Sequence, residues 1–526
     1  NASMTSGTGR RTSRHGVLLL LALALAACSQ DAPTAETPSS GAGGGGDDAT
    51  LEPRDSGESP AATSSDAALN EPGSDVHDAR VADAQAPDAR VPDARAPEAL
   101  PDVPPVIDAQ TMTALQALRY DSSAPPADPS NAFADDPAAR ALGQRLFFDP
   151  ALSGRLLSKD NDGSAPTLGL RGEAGRVSCA SCHVPATGFY DTRSHHRQIS
   201  LASQWTRRRT PTLFEVAFQP LLNWDGRHDT IWAQAIAVME SAVEFNSGRV
   251  FVAEQVFRLH RTEYEAVFGP LPALDDPARF SQLSALEVGC DEGDGAPCRG
   301  KPGSADYDAM SADAQRAVTR VTVNAAKAIA AYVRLLRCGP AAFDAWLDGD
   351  GEALSASEQR GAVLFVGRAD CARCHSGPRL SDGAFHNVGL RPATVAVAFT
   401  DVGDRGAAEG LPLALVDPLA SAGPFSDGAR ATLPPAVTAA HEGAFRTPTL
   451  RCSAQAPSFM HTGQLRTLEQ VVAFFDQGGH PAPGYPGVSE IAALGLDERE
   501  RSDLVAFLRA LTGAGPSPEL LRPPDP

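Results

Sequence analysis

The chain of 526 residues has a formal charge of −20, with 42% hydrophobic residues, 47 glycines and 43 prolines. A hydrophobic share of this size in a chain this long can fill two or three ordinary cores, which excludes a purely disordered or fibrous protein. The acidic balance excludes a nucleic-acid binder, because neutralising phosphates takes a clustered Lys/Arg surface.

The amino end reads as an export segment. Arg10, Arg11 and Arg14 precede an apolar run from Val17 to Ala27, long enough for a signal-peptide core and too short to span a bilayer. Met4 is the expected start, and residues 1–27 are expected to be removed. Leu25-Ala26-Ala27-Cys28 resembles the lipobox of bacterial lipoproteins. It implies lipidation of Cys28 and, with Ser29 next, an outer-membrane anchor on the periplasmic side, so the membrane is met only through lipid.

Residues 28–110 follow as a spacer. Between Ser29 and Asp108 there are 17 acids against 4 arginines, and Asp-Ala-Arg recurs at 78–80, 88–90 and 93–95. Without large apolar side chains to offset ordering entropy, this stretch is predicted to be a disordered tether that holds the folded body off the membrane.

Folded elements begin after it. A helix over Ala141–Phe148 leads to Cys179-Ala180-Ser181-Cys182-His183, and a helix with Gly361–Phe365 leads to Cys371-Ala372-Arg373-Cys374-His375. Both are C-x-x-C-H, the attachment site of c-type haem, in which two thiols add to the porphyrin vinyls and the adjacent imidazole reaches the iron. Zinc ribbons place their two Cys pairs far closer together, and a thioredoxin centre needs one pair in a βαβ pattern. Haem attachment also fits export. Of nine cysteines, Cys28 and these four leave Cys290, Cys298, Cys338 and Cys452. Four cysteines allow three pairings; Cys290–Cys298, closing an Asp/Gly-rich loop, and Cys338–Cys452 are expected.

Between the motifs, Val318, Val321, Ala325, Ile329, Tyr332 and Leu336 keep helical spacing over 314–336. Ser355 with Glu358 forms a capping box that opens the second pre-motif helix. Thr467 starts a helix with Leu468, Val471, Val472 and Phe475 on one face, and Asp497 caps a last one presenting Leu504, Phe507, Leu508 and Leu511. The fold is predicted to be mainly α, with two cytochrome c-like haem lobes joined by long loops: 111–350 for the first, 351–515 for the second and 516–526 as a tail.

These stretches resemble the bacterial dihaem cytochrome c peroxidase and MauG family over roughly residues 132–514. The resemblance is carried by Leu146–Gly154, Arg208–Leu213, Asn223-Trp224-Asp225-Gly226-Arg227, Phe385–Leu390, Phe445–Leu450 and Met460–Gly463. It implies two c-type haems. The haem at His183 would be peroxidatic and the one at His375 a relay, with Trp224 between them and Gln234 and Glu244 beside the bound peroxide. Cleaving peroxide needs a base that takes a proton from one oxygen and delivers it to the other, which Glu244 can do, while the Gln234 amide orients the substrate.

Three positions depart from the family pattern. The helix after Thr-Leu normally supplies a methionine or tyrosine to the relay iron; here that position is Phe475, expected to pack in the core, and Met460 is the nearest alternative ligand. Where reductively activated members carry a loop histidine, this chain has Ile199, Ser200 and Leu201, with His195 and His196 earlier, so an open first pocket is expected. A calcium-binding asparagine of the family is Arg209 here, which leaves only carbonyls near Gln455 and Pro457 for that ion.

The leading functional expectation is reduction of hydrogen peroxide with electrons from a small cytochrome c or cupredoxin. MauG-like oxidation of a partner protein is the alternative, and a dihaem electron carrier without peroxide chemistry comes from a different class. The resemblance further implies a homodimer, as in many family members.

Overall fold

The structure, a computed structural model, describes residues 102–193, 199–291, 297–391, 403–429, 435–480 and 484–525. The export segment, Cys28, nearly all of the tether, and His195 and His196 lie outside the described residues. Residues 95–526 form one compact unit.

The described residues are mainly helical: α1 Ala109–Gln116, α2 Pro137–Phe148, α3 Cys179–Cys182, α4 Ile231–Glu240, α5 Arg249–Leu259, α6 Arg261–Phe268 and α7 Ala305–Asp308, then α8 Ala312–Val333, α9 Ala342–Leu347, α10 Ala356–Val366, α11 Ala407–Val416, α12 Leu468–Asp476 and α13 Glu498–Ala510. Two antiparallel pairs of short strands complete them, β1 Gly289–Cys290 with β2 Cys298–Arg299 and β3 Phe385–His386 with β4 Phe445–Arg446.

The helices start where side chains can accept from the first turn's unpaired N–H groups. Asp136 accepts from Ala139 N with Pro137 in the first turn of α2, Ser311 caps α8 and Thr467 caps α12. Ser355 with Glu358, and Asp497 with Glu500, form capping boxes on α10 and α13. The long helix ends at Val333, three residues before its apolar pattern does. Leu335 and Leu336 bond back to the Tyr332 and Val333 carbonyls in a tighter turn, so Leu336 still reaches the core.

One helix crossing is used twice. Gly143 on α2 lies so close to α8 that a Cβ there would run into the Ala328 carbonyl, and Gly361 on α10 stands likewise against the Asp503 carbonyl of α13. Leu146 and Phe147 then fill the first core with Trp232, Ile236 and Tyr332, while Phe365 fills the second with Phe343 and Phe507. In both lobes the helix that makes this crossing precedes the C-x-x-C-H motif in the chain.

The packing changes the boundaries read from sequence. Leu115, Leu118 and Phe343 belong to the second core, although 111–350 was assigned to the first lobe. The α1 segment is drawn there by the buried Arg451–Asp344 pair at 2.6 Å, since Asp344 accepts from Tyr120 N and Arg451 donates to the Leu118 carbonyl. Nor do residues 516–526 behave simply as a tail. Leu520 and Leu521 pack on the first core, the Tyr332 hydroxyl donates to the Leu520 carbonyl, and the Gln144 amide donates to the Glu519 and Arg522 carbonyls. Disulfides join Cys290 to Cys298 and Cys338 to Cys452, the second closing a separation of 114 residues.

Candidate functional site

Each C-x-x-C-H motif is a single helical turn whose histidine closes it: His183 N donates to the Cys179 carbonyl at 2.9 Å and His375 N to the Cys371 carbonyl at 3.0 Å. The imidazoles are oriented through Nδ1, which meets Phe189 O at 3.2 Å in the first motif and Leu380 O at 3.0 Å in the second. Phe189 and Leu380 both take left-handed backbone, with φ of 62° and 50°, to present those carbonyls. With Nδ1 engaged, Nε2 is the nitrogen left for a ligand. Burial pushes His183 down to about 4 and lowers His375 as well, so both rings are neutral, the form that binds iron. The thiols of Cys179, Cys182, Cys371 and Cys374 are outside the disulfides, and burial raises the first three to about 12.

Each motif borders its own cavity. The first, of about 260 Å³, is lined by Cys179, Cys182 and His183 together with Trp224, Gln234 and Glu244. Ile231, Gln234, Ala235 and Val238 come from one face of α4, so helical spacing alone puts the Gln234 amide on this wall. Glu244 sits in the turn that follows, where its N–H donates to Ser241 O and its carbonyl accepts from Ser203 N. Burial pushes its carboxyl above the ordinary range, while Arg227, the Ser241 hydroxyl and His228 pull the other way. Arg227 lines the same cavity and pairs with Asp225 at 3.1 Å.

The second cavity, of about 370 Å³, is lined by Cys371, Cys374 and His375. Leu468, Val471, Val472 and Phe475 of α12 also line it, which corrects the expectation of core packing for Phe475. The apolar face of α12 fronts the cavity, and Phe474, one position earlier, is the deeply buried ring. Phe475 therefore faces this cavity with a side chain that carries no ligating atom. Met460, at φ 68°, lines this cavity too.

Trp224, Arg209 and Arg446 line both cavities. Trp224 Nε1 donates to Arg209 O at 2.8 Å, its carbonyl accepts from Arg446 N at 2.8 Å, and its ring lies 6.3 Å from that of His461. His461 stacks on Phe445 with centroids 3.6 Å apart, and burial pushes it down to about 3, leaving it neutral. The indole is thus fixed between the two haem-binding segments. Arg209 and Arg446 belong to the stretches that carry the family resemblance, but their sequence context assigns them no role at the haem sites. The signal for both was the repeat Arg-Thr-Pro-Thr-Leu, at 209–213 on the first cavity and 446–450 on the second.

Ile199 and Leu201 are buried aliphatic side chains without a donor atom, so neither can ligate iron. The two cavities fit c-type haem in donor chemistry: paired thiols, a neutral imidazole with one nitrogen free, and predominantly apolar walls. The calcium ion implied by family resemblance does not fit. Where its asparagine would stand, the buried Arg209 guanidinium lies 4.7 Å over the Tyr190 ring, and its Nε and Nη1 have no acceptor.

A family model described as di-haem cytochrome c peroxidase matches residues 137–288. The methylamine utilization protein MauG of Methylorubrum extorquens is 32% identical over 375 residues, 71% of this chain and 78% of that protein. Cytochrome-c peroxidase IdrP1 of Denitromonas iodatirespirans is 31% identical over 428 residues, 78% of this chain and 92% of that one. The crystal structure of the diheme peroxidase BthA from Burkholderia thailandensis superposes with a TM-score of 0.51 at 21% identity, covering 76% of this chain and 92% of the other, a likeness in fold.

Proposed function

The chain belongs to the di-haem cytochrome c peroxidase family, and from that premise we propose that it reduces hydrogen peroxide to water with electrons from a small cytochrome c or cupredoxin. Cys179, Cys182 and His183 would hold one haem, which would supply redox-active iron for the peroxide, and Cys371, Cys374 and His375 would hold a second, which would supply one-electron relay.

The remaining chemistry belongs to the side chains. Each peroxide takes up two electrons and two protons and leaves as two waters. Glu244 carries a proton from one peroxide oxygen to the other, and its partly desolvated carboxyl suits that task because its proton affinity is raised toward working pH. The Gln234 amide donates a hydrogen bond that orients the substrate. Trp224 borders both cavities and would serve electron passage from one to the other. The observation carrying this reading is that Glu244 and Gln234 share one cavity with the first haem motif. Glu244→Gln is expected to slow peroxide turnover by about 10² or more with haem content unchanged; an unchanged rate favours a plain electron carrier.

A second reading, oxidation of a partner protein, is favoured by the 32% identity to a protein named MauG. Turnover of peroxide with a reduced small cytochrome as sole donor supports the first reading, whereas peroxide-dependent oxidation of a partner protein without such a donor supports the second.

We assign the chain to the periplasmic side of the outer membrane, anchored through lipidated Cys28, on the strength of the basic, apolar and Leu-Ala-Ala-Cys segments. Release into the soluble periplasmic fraction by Cys28→Ser is the expected result.

A further inference from the structure

Most of the deeply buried arginines have a carboxylate. Arg208 pairs with Asp225 and with Asp404 at 2.7 Å, Arg451 with Asp344, and Arg379 with Glu215 at 3.0 Å. Arg209 and Arg446 have none among the described residues, although each is only 7% exposed. Arg446 donates to the Asn223 carbonyl at 3.1 Å and to the Thr447 carbonyl at 3.4 Å, neutral acceptors that leave its charge uncompensated, and burial lowers it to about 10. Arg209 faces the Tyr190 ring with two guanidinium nitrogens unsatisfied. A buried cation without an anion is among the least favourable arrangements in a fold. Here two lie together at the junction where both cavities meet.

A c-type haem would bring such an anion. A haem fastened by its vinyl groups still carries two propionate carboxylates, and guanidinium groups are the side chains best suited to pairing with carboxylates away from water. We propose that Arg209 and Arg446 are the counter-cations of the haem propionates at the junction of the two cavities, and that this fixed guanidinium pair, rather than a divalent metal ion, supplies the positive charge there. The proposal rests on both cavities holding haem and not on the peroxide chemistry. It follows that the reduction potentials are tied to these two residues, since a cation beside a propionate favours the reduced haem.

The test is a spectroelectrochemical titration of the purified diferric holoprotein without peroxide, so that its outcome is independent of any turnover. Arg446→Gln and Arg209→Gln are expected to move the midpoint of at least one haem to lower potential, and the matching lysine variants to keep most of the wild-type value. Midpoints unchanged in both glutamine variants at full haem content would overturn the proposal. If the glutamine variants do not load haem, the wild-type protein decides: metal analysis is expected to find no stoichiometric calcium, and the chelator EGTA to leave both midpoints in place. One calcium per chain, or midpoints that shift with EGTA, would overturn it.

Discussion

Replacing Gly143 by alanine tests the close helix crossing of the first lobe. The new Cβ would meet the Ala328 carbonyl and Ile329 N, backbone atoms in the middle of the 22-residue buried helix α8, so no side chain can swing aside to make room. Alanine in a helix interior gains about 1 kcal/mol over glycine through propensity. Overpacking against an unyielding neighbour costs about 1–3 kcal/mol, and backbone obstruction puts this case at the upper end. The net expectation is a loss of about 1–2 kcal/mol, or about 2–8 °C in the first lobe's melting temperature. Thermal unfolding of the holoprotein followed by Soret circular dichroism reads it, because Phe147 on the same helix lines the haem cavity. Gly361→Ala repeats the experiment in the second lobe, where the obstacle is the Asp503 carbonyl. Gly351 has open space around its Cβ position, so Gly351→Ala serves as the control and stays within about 0.5 kcal/mol of wild type. Equal stability of all three variants would refute the close backbone approach at the two crossings.

Three further outcomes follow from the site. Burial raises the Glu244 carboxyl, so its base form appears only above that raised value: the peroxide rate should climb with pH through a midpoint higher than that of an ordinary glutamate. The same raised group favours the fold at low pH and loses that contribution as pH rises through its folded value, and Glu244→Gln should remove both dependences. Phe475→Met, on the helix face that fronts the second cavity, should add a near-infrared methionine-to-iron band absent from the wild type and raise that haem's potential; no new band would mean the position does not face the iron. Asp344→Asn strands the fully buried Arg451 without its carboxylate and should cost about 3–5 kcal/mol in denaturant unfolding; a loss well under 1 kcal/mol would show the pair is not what holds α1 on the second core.

What could be read in the sequence was what is local. The C-x-x-C-H spacing, the Ser355/Glu358 capping box, the Asp497 cap and the periodicity of α8 depend on residues a few positions apart, and all appear in the fold. Gln234 and Glu244 reach one cavity because a helix face and the turn after it place them there. The misreadings are non-local. An apolar face on α12 looks the same whether it covers protein or a cofactor, so Phe475 read as core. Leu115 joins the second core through Arg451 and Asp344, hundreds of positions away in the chain. Arg209 and Arg446 gain their meaning only when the two cavities are seen to share a wall.

Stopped-flow mixing of the diferric holoprotein with hydrogen peroxide, with and without a reduced small cytochrome, bears most directly on the claim that Glu244 moves the proton beside the first haem. Rapid spectral change in the wild type, turnover when the donor is present, and a rate about 10² lower in Glu244→Gln at full haem content are expected. A Glu244→Gln protein that consumes peroxide as fast as the wild type would contradict it.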